Sequence, residues 1–256
     1  MKKPQPLIKI ALQLYTVRSA GDLAARLALA REAGYVWVES EALHSLPAEA
    51  FVATLQASGM GLASMHVEMS DLGQRLPEIL HALQALGCQQ LVMPWLDEGE
   101  RPADRAGWLA LAAQLEQYAQ VLASKGIALA YHNHAFEFER LADGRTALET
   151  LFEAAPSLRW QPDVAWVARA GEDPAAWLSR HAARLQSVHV KDLAPDGHGE
   201  PAEQGWATLG EGRLPWGQWL PGLAARLQTF IVEHDHPSQP ARTARVGLRY
   251  LSERLH

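Results

Sequence analysis

The sequence predicts a (β/α)8 barrel forming a single α/β domain over residues 1–256, on three observations. Eight short apolar runs alternate with eight helix-like stretches, most of the apolar runs end in polar side chains, and 256 residues is the length such a barrel needs. Alternating strand and helix implies parallel strands joined by helical crossovers. The rival is an open doubly wound sheet, which carries a glycine-rich phosphate loop after its first strand. Tyr15-Thr-Val-Arg-Ser-Ala-Gly21 is not such a loop. No linker or shift of composition divides the chain.

Taken in order, residues 8–15 read as the first strand, apolar as far as Gln13 and Tyr15. Residues 22–33 are helical, with Gly34 just past the end, where a left-handed cap is expected. Residues 35–39 form a second strand ending in Glu39. Residues 47–57 are helical and closed by Ser58 and Gly59, and residues 62–67 are a third strand carrying His66. A helix over 72–86 stops at Gly87. The fourth strand, 88–93, runs into Pro94 and Trp95, with Cys88 expected to be buried. A long alanine- and leucine-rich helix over 104–124 ends near Gly126. The fifth strand follows and finishes in Tyr131-His-Asn-His134. With a strand period of two, His132 and His134 share one face and Asn133 takes the other.

In the second half, 146–155 is helical and 158–163 is a short strand ending in Pro162-Asp163. Asp173-Pro174 opens another helix with an N-cap and a proline at the first helical position. Residues 184–191 read as a strand ending Val188-His-Val-Lys191, and 192–214 as a loop rich in Gly, Pro and Glu. Residues 215–226 are helical, 229–233 form the eighth strand, and 241–254 close the chain as a basic amphipathic helix.

Composition is that of an ordinary globular chain, 48% hydrophobic and 20% charged. The net charge of −6 and the lack of a basic run argue against nucleic acid as partner. A lone cysteine excludes a disulfide framework and suits a reducing compartment. Lys2 and Lys3 are followed by an apolar run broken at Lys9 and Gln13, which does not fit a signal peptide. No run approaches the ~18 apolar residues of a membrane span. A cytoplasmic protein is expected, with no membrane partner and with a homo-oligomer left open.

In a barrel the C-terminal strand ends converge on one pocket. Those ends offer Gln13, Glu39, His66, Trp95, His132, His134, Asp163, His189, Lys191, Glu233 and Asp235. Imidazoles and carboxylates bury poorly without partners, so so many at the tips point to chemistry. Two His and two carboxylates in one cavity suit a divalent ion with open positions for substrate. Trp95, Trp166, Trp206 and Trp216 fall on or near the tip loops, where an indole can stack on a sugar ring. Trp37, Trp160, Trp177 and Trp219 are expected to pack strands and helices. Arg213 and Lys191 are candidates for binding a phosphate or hydroxyl.

Several motifs resemble the xylose-isomerase-like sugar phosphate isomerase/epimerase superfamily of TIM barrels. They are Tyr131-His-Asn-His-Ala-Phe-Glu-Phe138, Asp163-Val-Ala-Trp166 with Gly171-Glu-Asp-Pro174, and Ser187-Val-His-Val-Lys-Asp192. Leu209-Gly-Glu-Gly-Arg-Leu-Pro-Trp216, Ile231-Val-Glu-His-Asp235 and Leu12-Gln-Leu-Tyr-Thr-Val-Arg18 extend the likeness over nearly the whole chain. The resemblance implies one divalent ion, Mn²⁺ first with Mg²⁺, Co²⁺ or Zn²⁺ as alternatives, held by residues of strands five to eight. Three ligands carry over as Asp163, His189 and Glu233. The family's fifth-strand glutamate has no direct counterpart. His132 is the expected ligand there, with Glu137 as fallback.

The resemblance also implies proton abstraction next to a carbonyl of a sugar through a metal-stabilised enediolate, with Glu233 as base. Without the fifth-strand glutamate the second proton carrier must be His134, Lys191 or His66. Gln13, Glu39, His66, Trp95, Trp166 and Arg213 are the expected substrate contacts. Isomerisation or epimerisation is the leading reaction. A dehydratase or lyase acting on an inosose or 3-keto-glycoside shares the same first step. An apurinic-site endonuclease would call for more metal ligands and a basic face, and a non-catalytic sugar-binding protein would have lost its base.

Overall fold

The structure, a computed structural model, describes residues 8–255, so that Lys2, Lys3 and His256 lie outside the described residues. The elements run β1 (Lys9–Gln13), α1 (Leu23–Glu32), β2 (Trp37–Glu41), α2 (Ala48–Ser58), β3 (Gly61–His66), α3 (Met69–Ala85), β4 (Gln90–Met93), α4 (Arg105–Ala123) and β5 (Ala128–His132). They continue with α5 (Ala147–Ala154), β6 (Arg159–Gln161), α6 (Val164–Arg169), α7 (Pro174–Arg180), β7 (Val188–Val190), β8 (Asp192–Leu193), β9 (Trp206–Ala207), α8 (Trp216–Ala224), β10 (Thr229–Val232) and α9 (Pro240–Ser252).

Eight of these strands form one parallel sheet in the order β6-β5-β4-β3-β2-β1-β10-β7. Its two ends meet through the parallel bridges Trp160–Leu185 and Asp163–His189, so the sheet closes into the expected barrel. Side chains alternate accordingly. On β5, Leu129 and Tyr131 face the helices and join the main apolar core, while His132 faces the barrel interior. At the opposite mouth, Ala11, Ala63 and Ile231 pack together with Trp37 as an apolar plug. Gly61 makes room for that indole, because a Cβ there would overlap the Trp37 ring. Trp160 is fully buried between strands and helices, where truncation to alanine costs about 3–5 kcal/mol.

The N-cap read from the sequence at Asp173 forms, and two further helix starts carry side-chain caps. Asp104 Oδ1 accepts from Gly107 N–H, Asp173 Oδ1 from Ala175 N–H, and Thr146 with Glu149 forms a reciprocal capping box. Most boundaries shift slightly, β2 for instance running on past Glu39 to Glu41, and four differences change the local structure. The first strand stops at Gln13 and turns into a 3₁₀ segment, Leu14–Ala20. Pro162 has no N–H to give a ladder, so β6 ends at Gln161 and Asp163 becomes the N-cap of α6, a helix the sequence reading did not contain. Residues 182–184 form a helical turn, which shortens the seventh barrel strand to Val188–Val190. The 192–214 loop contains the antiparallel pair β8–β9.

That loop is organised by one carboxylate. Asp192 Oδ1 accepts from Leu193 and Leu214 N–H, and Oδ2 from Gly210 and Gly212 N–H, at 2.9–3.2 Å. Among the described residues, no helix is long and apolar enough to cross a membrane.

Candidate metal centre at the C-terminal mouth

Barrel closure itself assembles the site. The bridge between β6 and β7 sets Asp163 opposite His189, and β10 pairs Ile231 with His189, which brings Glu233 to the same end. Asn133, on the other face of β5 from His132, staples the β6 tip from behind. Its Oδ1 accepts from Trp160 Nε1–H at 2.9 Å and from Asp163 N–H at 3.2 Å, and its amide donates to Asp163 O at 3.2 Å.

His132, Asp163, His189 and Glu233 each present a ligand-capable atom, all within 4.8 Å of one another, and all four residues are buried. His66, His132 and His189 form a second, overlapping group at the same spacing. His132 Nδ1 and Asp163 Oδ2 are buried without a hydrogen-bond partner among the described residues. Burial, then the neighbouring His189, holds the His132 imidazole well below its usual range and hence neutral. A neutral imidazole, two carboxylates and a second histidine converging on one point are a donor set that fits a divalent ion. Glu137 is not part of it. Its carboxylate accepts from His134 N–H at 2.8 Å and from the Tyr131 hydroxyl at 3.0 Å, both in the turn after β5.

Lys191 extends up from β7 into the carboxylates. Its Nζ lies 2.9 Å from Asp163 Oδ2, 2.7 Å from Glu233 Oε2 and 2.9 Å from Asp235 Oδ1. The contact with Asp163 is ionic only, since Oδ2 lacks hydrogen-bond geometry. Burial opposes the ammonium, but Asp163, Asp235 and Glu233 outweigh it and raise its pKa well above the ordinary value. Burial likewise opposes ionisation of Glu233, and here Lys191 and His189 win, holding the carboxyl well below the usual range. Asp163 goes the other way. Burial outweighs Lys191 and raises it.

Beneath this centre lies a polar layer. Glu39 is completely buried. Its Oε2 accepts from Ser64 Oγ–H at 2.5 Å and Gln161 Nε2–H at 2.7 Å, and its Oε1 from Gln13 Nε2–H at 2.8 Å. The same Oε1 lies 2.5 Å from His189 Nε2 and 2.9 Å from His66 Nε2. Gln161 also donates to Ser187 Oγ at 3.0 Å. Gln13 and Glu39, expected to contact substrate, are therefore sealed under the floor by this network. Ser64, Gln161 and Ser187, none of them among the expected site residues, each stand two residues before a tip residue singled out above, His66, Asp163 and His189. Strand periodicity alone could have found them. A register slip between Val38 and Glu39 completes the layer by setting Ser64 opposite Glu39.

Above the centre is a cavity of about 600 Å³ lined by Tyr15, His66, Trp95, His132, His134, Trp166, Trp206, Glu233 and Asp235 among others. His134 stands edge-on to Trp95 at 4.6 Å and tilted against Trp166 at 5.2 Å between ring centres. Its Nδ1 is unpartnered among the described residues, and burial followed by Lys191 holds it neutral. Trp166 and Trp206 meet edge-to-face at 4.6 Å, with the Arg169 guanidinium 4.5 Å from the Trp206 ring. Two expected contacts lie elsewhere. Arg213 is half-exposed on the 192–214 loop, 4.0 Å from Asp196. Trp216 is fully buried and donates from Nε1 to Lys191 O at 2.9 Å, so it anchors β7 and offers no face to a ligand.

A barrel of this kind with a His/Asp/His/Glu centre at its C-terminal mouth defines a class, and sequence comparison supplies the family. Residues 27–254 match the model of the xylose isomerase-like TIM barrel family, and the chain belongs to it. No curated protein sequence matches significantly. Among solved structures, a sugar phosphate isomerase/epimerase from Parabacteroides distasonis superposes with a TM-score of 0.75 at 16% identity, over 98% of this chain and 95% of that one. A probable 3-DHS dehydratase, AsbF, from Bacillus anthracis, described as involved in petrobactin synthesis, gives 0.72 at 11% identity, over 96% and 99%. The IOLI protein, solved with a bound zinc atom, gives 0.73 at 12%, over 97% and 99%. At such identities the likeness is one of fold.

Proposed function

We propose that the chain is a divalent-metal-dependent isomerase or epimerase of a sugar or sugar derivative, with Glu233 as the base. The observation that carries this reading is the convergence of His132, Asp163, His189 and Glu233 within 4.8 Å at the floor of the aromatic-lined cavity. A bound ion, Mn²⁺ before Mg²⁺, Co²⁺ or Zn²⁺, would supply Lewis acidity to a carbonyl and its neighbouring hydroxyl.

The chain's own groups account for the rest. Lys191 Nζ, 2.7 Å from Oε2, keeps Glu233 ionised and steers it, and in the metal-free protein His189 Nδ1–H does so as well, at 2.9 Å. Those contacts also lower its basicity, so it suits only a C–H acidified by an adjacent carbonyl. His134 faces the cavity as a neutral imidazole and is the better candidate for the second proton carrier. Lys191 is engaged by three carboxylates and does not line the cavity. Trp95, Trp166 and Trp206 offer apolar faces for the C–H side of a sugar ring.

A dehydratase or lyase on an inosose or 3-keto-glycoside is the second reading. His132 stands where a second central carboxylate would make the proton traffic symmetrical, and elimination needs only one base plus a donor to the leaving group. An endonuclease role is disfavoured by Glu41, Glu68, Asp71 and Asp235 around the cavity, which would face a phosphate backbone. A cytoplasmic setting accords with the lone, buried Cys88. Incubating ketoses, inososes and 3-keto-glycosides in D₂O with Mn²⁺ separates the readings. Deuterium in a rearranged sugar supports the isomerase or epimerase, and loss of water or aglycone supports the lyase. No exchange with any of them, at full metal loading, would count against both.

A further inference from the structure

We propose that Glu39 is a positioning residue that fixes His189 as an Nδ1 ligand, an inference that rests on the metal-site reading above. Glu39 does not touch the cavity. It is 0% exposed, at the bottom of the polar layer, and an ionised carboxylate can only accept hydrogen bonds. The groups around it are arranged as donors. Gln13 has its amide orientation set by Tyr15 N–H, which donates to Gln13 Oε1 at 3.3 Å, leaving Nε2–H for Glu39. Gln161 Nε2 faces both Glu39 Oε2 and Ser187 Oγ, which leaves its Oε1 to accept from His66 Nε2–H at 2.8 Å. Ser64 donates to Oε2.

With its other sites filled by donors, the 2.5 Å contact between Glu39 Oε1 and His189 Nε2 requires the proton on Nε2. The nitrogen left for a ligand bond is Nδ1, which faces Glu233 Oε2 at 2.9 Å, inside the ligand cluster. A carboxylate gripping the distal N–H of a ligating imidazole fixes its tautomer and ring orientation and strengthens it as a ligand. The Gln13, Ser64 and Gln161 side chains thus act on the metal centre through one acid and one imidazole, across the barrel from β2 to β7.

The test uses the full chain labelled with ¹⁵N-histidine and loaded with ¹¹³Cd²⁺. Cadmium coupling to His189 Nδ1 with a retained Nε2–H is expected, together with a Cd²⁺ affinity about 10–100-fold lower in Glu39→Gln. Coupling to Nε2, or a Glu39→Gln affinity within about twofold of wild type, overturns the role of Glu39 while leaving the metal site intact. The wild-type spectrum decides the ligating nitrogen even if the variant fails to fold. No cadmium bound to wild type overturns the metal reading and this proposal with it.

Discussion

Lys191 Nζ lies 2.7 Å from Glu233 Oε2, so the proposed base shares its oxygen with a buried ammonium. The same ammonium reaches Asp163 and Asp235, and it keeps three clustered carboxylates, Glu233 and Asp163 buried and Asp235 partly exposed, from repelling one another. An ion seated among His132, Asp163, His189 and Glu233 would share that task.

Lys191→Met should therefore destabilise the metal-free protein by about 3–5 kcal/mol, the scale for stripping one partner from a buried charge cluster. Added Mn²⁺ should raise the thermal midpoint of the variant more than that of wild type. Equal shifts in the two proteins would mean that ion and ammonium do not act on the same carboxylates.

The fifth-strand ligand can be assigned by affinity. His132→Ala should weaken Mn²⁺ binding by more than about a hundredfold, whereas Glu137→Gln, altered only in the turn behind β5, should stay within about twofold. Calorimetric titration reads both, and the reverse ranking would transfer the ligand role to Glu137.

Glu137 has a separate signature in stability. Burial raises its pKa from 4.5 to about 8, so the folded state binds this proton more tightly than the unfolded chain does. The stabilisation is full below pH 4.5 and drains away as pH rises toward 8, at about 1.4 kcal/mol per pH unit. Urea denaturation of wild type between pH 5 and 8 should show that loss, at about that slope, relative to Glu137→Gln. Parallel pH profiles would remove Glu137 as the cause.

Gly212→Ala tests the Asp192 hub. A Cβ at position 212 would overlap Asp192 Oδ1 and Leu193 O, the latter rigid backbone. A loss of about 1–3 kcal/mol is expected by chemical denaturation. An unchanged midpoint would mean the 192–214 loop can shift without cost.

The barrel was legible because strand and helix periods are local properties, and Asp163, His189 and Glu233 stood at strand ends where alternation points them inward. What escaped depends on neighbours distant in sequence. Glu39 resembles any other tip carboxylate until Ser64, Gln161 and His189 are seen to close over it, and a register slip in β3 is part of that closure. Arg213 lies outside the cavity because Asp192 folds its loop through backbone N–H groups, for which sequence offers no side-chain signal. The early end of β6 was available in principle, since Pro162 lacks the N–H a strand needs.

The central claim is that Glu233 removes a carbon-bound proton at a metal-loaded centre. It is met most directly by solvent-deuterium exchange into a turned-over ketose, inosose or 3-keto-glycoside, measured by NMR for wild type and Glu233→Gln at matched Mn²⁺ occupancy. The account predicts exchange in wild type and a loss of at least about a thousandfold in the variant. Undiminished exchange in a fully loaded Glu233→Gln protein would contradict it.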